Sequence, residues 1–519
     1  MQETFGTILD IATIGACIAV VIYIVSNIFR VNPEVYHSPA YKARRAINWL
    51  PLGLTYAFLY MGRYNLTVSK IALGTKMSNG AFGFIFGFGA FVYFVSLLFN
   101  GPLTDRIGGK RAILIGATGA AIANILMGIV LYQILAKNFM GNLTLIFTIL
   151  YGVNMYFQSF GAVAIVKVNS GWFHVRERGV FGGIFGILIS LGVYFAFDWG
   201  KAIVDATRAV VDPSKLSAIQ IGLRSLLVAS ESAVDQTWWV FFIPAVALLV
   251  FAILDLIIIR DMPSGAGFKD IYTADASAGE EDKPTKLRDL LKRVLTNKII
   301  LTIALIEFCT GILRQGVMQW YPIFINGPAL SDAVKGSALV IFMQSRWGGM
   351  QLIAGVLGGM IAGYVSDKVF KSRRGPVAAI LYGIMFFSTI LMAFTVFGAQ
   401  NLLAVAVVAI SFCVIGTHGV LSGTSTMDFG GRKAAATAVG LIDGSVYLGT
   451  WFQAWGLGLI TSKNWNWWPI FLIPFTIIAF ILAMRISTAI PVPKAGPVVA
   501  IKPGIEPGTG LVGGEVPRD

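Results

Sequence analysis

Leu301 to Ile325 (LTIALIEFCTGILRQGVMQWYPIFI) is an apolar run with Arg314 near its middle, and that pairing leaves few folds open. A run of this length crosses a bilayer, which takes about 20 apolar residues. A guanidinium at that depth costs about 2.5–3.5 kcal/mol on insertion scales, and it cannot be discharged. The position therefore demands an anionic partner, a wet cavity, or both. Arg63 makes the same demand within Leu52 to Leu73. We expect the two arginines to face each other across a central cavity and to hold the anionic group of a solute.

Composition agrees with a membrane chain. Only 13% of the 519 residues are charged and 56% are hydrophobic, whereas soluble domains carry about 25% charged residues. The net charge of +14 comes from Lys and Arg in short loops between apolar runs. That is the pattern of cytoplasmic loops and not of a nucleic-acid surface. Cys17, Cys309 and Cys413 lie in apolar runs without paired spacing, and His37, His174 and His418 are scattered. Neither a disulfide framework nor a metal cluster is indicated. No nucleophile–base pair or cofactor loop stands at usable spacing, so the chain is not expected to be an enzyme or to need a cofactor.

Ile8 to Phe29 is long enough for one crossing, with Glu3 and Asp10 at its start and Arg30, Lys42, Arg44 and Arg45 after it. The positive-inside rule then places the N-terminus outside and the following segment in the cytoplasm. Residues 1–45 thus read as an extra transmembrane helix and its cytoplasmic link. Apolar runs follow at 46–74, 80–101, 112–135, 141–170, 178–199 and 237–259, and again at 298–326, 334–365, 376–397, 401–426, 434–461 and 466–487. The expectation is an all-α membrane protein with one six-helix bundle over 46–260 and another over 297–487. Between them 261–296 is a cytoplasmic linker that holds Asp275 to Lys283 and ends in the basic amphipathic stretch LRDLLKRVL, which suits a membrane surface. The Pro- and Gly-rich tail, 488–519, has the composition of a disordered segment.

A repeat joins the two groups. The loop Gly101-Pro-Leu-Thr-Asp105-Arg106-Ile-Gly-Gly-Lys110-Arg111 has a counterpart in Gly363-Tyr-Val-Ser-Asp367-Lys368-Val-Phe-Lys-Ser-Arg373-Arg374. Each sets an acid beside basic residues at a cytoplasmic helix end, where charge pairs can hold one conformation shut. Asp105, Arg106, Asp367 and Lys368 are the candidate gating residues. The glycine-dense runs inside apolar spans, such as Gly355 to Gly363, are close-packing surfaces between helices.

Those loops resemble the signature loop of the major facilitator superfamily. Within it the chain resembles the organophosphate:phosphate antiporters, the glycerol-3-phosphate and hexose-phosphate carriers. The likeness runs through Tyr56-x-x-x-Tyr60-x-x-Arg63-x-Asn65, Trp172-Phe-x-x-Arg176-Glu177-Arg178-Gly179, Arg260-Asp261-x-Pro263 and Leu313-Arg314-x-Gly316-Val317-x-x-Trp320-x-Pro322. It continues through Ser366-Asp367-Lys368-Val369-Phe370 and Lys433-Ala-Ala-x-Thr437-Ala-x-Gly440 to Tyr447-Leu-Gly449. The resemblance implies the major facilitator fold, two six-helix bundles related by a pseudo-two-fold axis. It also implies that Arg63 and Arg314 bind phosphate and that Tyr56, Tyr60 and Tyr447 line the pocket. Tyr64 joins them because it adjoins Arg63. The chain departs from the glycerol-phosphate pattern at Tyr64, where those carriers have Lys, and at Leu97, Ile189 and Gln319, where they have a basic residue, a histidine and an acid.

The residues leave other roles open. Glu307, seven residues before Arg314, stands about two turns and roughly 10 Å below it on nearly the same face, so a direct pair is marginal. Asp443 lies within the run Ala435 to Gly458, and intramembrane carboxylates serve proton or ion pathways or pair with a fixed cation. Lys167 either supplies basic charge to the cavity or snorkels to the interface. The reading that follows is exchange of organic phosphate or inorganic phosphate across a bilayer, expected to be a bacterial inner membrane. Two others stay open: a proton-coupled carrier of another anion, carboxylate or phosphonate, and a transporter-like sugar-phosphate sensor. The extra N-terminal helix is either a docking element for a partner protein or a plain anchor.

Overall fold

The computed structural model describes residues 37–137, 141–174, 178–212, 214, 216–228, 234–271, 296, 298–370 and 374–487. The expected helix Ile8 to Phe29, Arg176, Glu177, most of the linker and the tail lie outside them. Within the described residues every long apolar run is a helix, and no strand is present. The first six are α1 (Pro39–Leu73), α2 (Asn79–Ile107), α3 (Gly109–Ala136), α4 (Leu143–Trp172), α5 (Arg178–Tyr194, continued through Trp199 to Ala206) and α6 (Trp239–Ile258). The last six are α7 (Lys298–Met318, continued by Trp320–Asn326), α8 (Ala338–Tyr364), α9 (Arg374–Thr395), α10 (Gln400–His418), α11 (Ser425–Thr461) and α12 (Trp467–Arg485).

Local chemistry sets the ends. Ser38 accepts the Tyr41 N–H at 3.2 Å and Pro39 opens the first turn, so α1 begins well before its apolar run. Ser78 and Asn142 cap α2 and α4 in the same way, at 3.1 and 3.0 Å, and each such cap contributes about 1 kcal/mol. In the α2–α3 loop Gly108 takes φ 88°, a conformation open chiefly to glycine. The Asp261 carboxylate accepts the Lys110 N–H at 2.7 Å across that loop. Two separate sequence motifs, the repeat loop and Arg260-Asp261-x-Pro263, thus meet at the start of α3.

The helices are inverted relative to a soluble bundle. Ile115, Ile122, Leu126 and Ile129 of α3 are exposed, as are Val246, Val250, Ile253 and Ile257 of α6. Their spacing of three, four and seven lays an apolar stripe on the outer face. The polar residues point inward: Asn65, Asn124, Asn154 and Gln158 are buried. Among the described residues nine helices are long and apolar enough to cross a membrane. Helices α1, α8 and α11 are long enough but fall outside that set; they carry Arg63, Arg346 and Asp443. Arg346 sits at a break in α8, with φ −127° and ψ 20° inside an otherwise helical run.

Candidate functional site

Arg63 is fully buried in the second half of α1, and the polar inner faces of α3 and α4 fix the backbone that carries it. Asn154 and Asn124 donate to the Gly62 carbonyl at 3.0 and 3.2 Å. Asn65 donates to Asn124 at 2.7 Å, and the Tyr151 hydroxyl donates to the Arg63 carbonyl at 3.2 Å. The side chain is held as firmly. Its Nε and Nη2 both donate to Gln158 Oε1 at 3.2 Å, and its Nη1 donates to the Tyr447 hydroxyl on α11. The guanidinium carbon lies 4.4 Å from the centre of the Tyr60 ring and 4.7 Å from that of Tyr93. Tyr93 in turn stacks on Tyr447 at 3.8 Å between centroids. All these neighbours are uncharged, so the cation is placed without being neutralised.

Arg314 reaches the same cluster from α7. It is 5% exposed, and its Nε and Nη2 are buried without a hydrogen-bond partner among the described residues. Tyr64, Tyr60 and Tyr447 act on it electrostatically, the same tyrosines that surround Arg63. The approach depends on two glycines. A Cβ on Gly311 of α7 would stand 2.0 Å from the Val446 carbonyl oxygen, and one on Gly449 of α11 would stand 2.0 Å from that of Phe308. Backbone contact at this crossing, the use small residues serve in membranes, sets Arg314 and Tyr447 on the two sides of one seam.

The departures Tyr64 and Gln319 belong to one chain of hydrogen bonds. Gln315 donates to the Tyr64 hydroxyl at 2.9 Å, Gln319 donates to Gln315 Oε1 at 3.0 Å, and Thr67 donates to Gln319. A ladder of amides and hydroxyls therefore links α1 to α7 where the resembled carriers place a Lys and an acid. Tyr56 completes the aromatic group, 5.2 Å from Tyr60 between ring centres.

The remaining sequence candidates fall elsewhere. Glu307 does not pair with Arg314; its Oε2 lies 2.9 Å from Nδ1 of His418 on α10. Lys167 is not in the central cluster but pairs with Asp105 at 2.9 Å, joining α4 to the end of α2. Arg106 is exposed. Asp367 and Lys368 lie in the π-helical turn Val365–Val369 that ends α8, and their side chains are outside the described set. Asp443 is half-buried and acts electrostatically on Tyr93, Glu307 and His418. Sequence reading missed Gln158, Tyr93 and His418. The spacing of Asn154 and Gln158, four apart in an apolar run, was a usable signal for the first. Tyr93 and His418 meet their partners only through the fold.

A family model described as Major Facilitator Superfamily matches residues 52–454. A glycerol-3-phosphate transporter of Bacillus subtilis is 25% identical over 480 residues, 89% of this chain and 98% of the relative. A probable hexose phosphate transport protein of Chlamydia pneumoniae is 23% identical over 82% of this chain and 87% of its own length. Among solved structures, a bacterial homologue of the human lysosomal transporter Spinster, inward-facing and occupied, matches with a TM-score of 0.62 at 14% identity, covering 87% of this chain and 98% of that one. At that identity the likeness speaks for the fold alone.

Proposed function

The chain belongs to the major facilitator superfamily, and on that premise we propose that it is a secondary transporter that exchanges an organic phosphate, inorganic phosphate, or both across its membrane. The two relatives above are named a glycerol-3-phosphate transporter and a probable hexose phosphate transport protein. One observation carries the reading. Two buried guanidinium groups share a cluster of tyrosines, neither pairs with a carboxylate among the described residues, and Arg314 keeps two donor nitrogens unused. Buried unpaired charge is costly, so the site is unfavourable when empty and favourable once an anion supplies acceptors. Arginine presents a planar fork that fits phosphate oxygens bidentately; Tyr56, Tyr60, Tyr64 and Tyr447 contribute hydroxyls around it.

Residues 46–260 and 297–487 act as the two bundles that rock about this midplane site in alternating access. Cargo neutralises the arginines and lets the bundles close; the empty, doubly charged site closes poorly, which makes exchange the natural mode. The linker faces the cytoplasm of a bacterial inner membrane, with the N-terminus outside.

Proteoliposomes loaded with inorganic phosphate test this by uptake of labelled glycerol-3-phosphate or glucose-6-phosphate. Wild type exchanges, and Arg314→Lys loses at least about tenfold, the equivalent of 1.4 kcal/mol, because an ammonium cannot reproduce the fork. Full exchange by Arg314→Lys removes the arginine from the mechanism. Stronger competition by carboxylates than by phosphate turns the reading to a different anion, and solute binding without flux turns it to a sensor.

A further inference from the structure

We propose that Glu307 and His418 form a second, proton-binding site whose occupancy rises when an anion settles between the arginines. The proposal rests on the anion reading above and identifies what travels with the cargo. Glu307 is fully buried on α7, two turns from Arg314, and its Oε2 is 2.9 Å from His418 Nδ1. Its other oxygen, Oε1, is buried with no hydrogen-bond partner among the described residues. A carboxylate oxygen can only accept, so this atom is the natural seat for an added proton: one proton bridges Nδ1 and Oε2, and a second binds Oε1 and makes the group a neutral acid.

The two members of the pair differ in exposure. Glu307 has no exposed side-chain surface, whereas His418 keeps 13% of its own, so a proton reaches the carboxyl through the imidazole. Directly after His418 the chain enters the π-helical turn Gly419–Thr424, a form that occurs mostly as single turns within helices and is frequent at functional sites. The groups that act on the pair lie along α7 itself and on three further helices: Cys309 and Arg314 on α7, Tyr60 on α1, Tyr382 on α9 and Asp443 on α11. Arg314 and Asp443, of opposite charge, both act on His418.

Charge arithmetic gives the coupling. Arg63 and Arg314 contribute two positive charges, and Glu307 and Asp443 in their ionised forms contribute two negative ones. A phosphate ester bound to the arginines cancels the influence that keeps protons off the pair. Proton uptake and anion binding therefore strengthen each other by the same factor in both directions.

Two measurements on the purified full chain test it. Difference infrared spectroscopy across pH should show a protonated-carboxyl band in wild type that is lost in Glu307→Gln, and inorganic phosphate should move its midpoint to higher pH. Calorimetry in buffers of different ionisation enthalpy should record proton uptake on phosphate binding in wild type and its loss in Glu307→Gln. The milder His418→Gln should reduce the uptake while phosphate still binds, which keeps the test open where the carboxyl variant misfolds. Unchanged uptake in both variants, or no Glu307 band at any pH the protein tolerates, overturns the proposal. A Glu307 band without phosphate binding leaves the proton site standing and overturns the anion reading instead.

Discussion

Arg63 shows how a permanent charge can be kept in a membrane interior without being cancelled. Gln158 supplies a single oxygen to two of its nitrogens, and Tyr447 takes a third. Gln158→Leu keeps the bulk but leaves those donors buried and unmatched, so it should cost about 1–3 kcal/mol. Thermal unfolding in detergent would read the loss, and a double variant with Arg63→Leu should recover part of it. The two arginines were legible in the sequence because a charge inside an apolar run is conspicuous in any context. Tyr93 was not, since an aromatic in such a run looks like any lipid-facing ring until α11 brings Tyr447 against it. His418 was hidden for a similar reason: 111 residues separate it from Glu307, and no local spacing marks the pair. The neutral ladder Tyr64–Gln315–Gln319–Thr67 carries a second prediction. Tyr64→Lys breaks its first bond and adds a third cation to the cluster, so phosphate affinity should rise at low salt while unfolding temperature falls.

Helices were legible almost throughout, because unbroken apolar length is the strongest signal a membrane chain carries. Their ends were less so. Helix α1 starts at Pro39 and α11 at Ser425, ahead of the runs at 46 and 434, because capping and chain continuity extend a helix through polar residues that hydropathy counts as loop. The crossing of α7 and α11 was visible only as glycine content; which glycines meet which carbonyls is set by the tertiary fold. Gly311→Val or Gly449→Val would put a branched side chain where 2.0 Å separates a Cβ from backbone oxygen. Overpacking of that kind costs about 1–3 kcal/mol, and the parting of α7 from α11 should carry Arg314 away from Tyr447. Equilibrium binding of phosphate should then weaken more than stability alone explains, while a valine at the lipid-facing Leu126 should change neither.

Across the whole molecule, cargo should act as a brace. A ligand present at 100 times its Kd stabilises by about 2.7 kcal/mol, so phosphate esters should raise the unfolding temperature of wild type and leave Arg314→Leu unmoved. A thermal-shift series over phosphorylated and carboxylated metabolites would show the chemistry preferred. The first six helices and the last six also meet away from the arginines. Asp198, buried near the end of α5, accepts the Gly348 N–H at 2.7 Å and the Gly349 N–H at 3.0 Å, donors that the break in α8 at Arg346 leaves near a new helix start. Any motion that parts α5 from α8 breaks both of these hydrogen bonds, and lipid has nothing to offer in exchange. Separation there must draw in water as it proceeds, so osmolytes too large to enter should slow the swing and Asp198→Asn should make it easier.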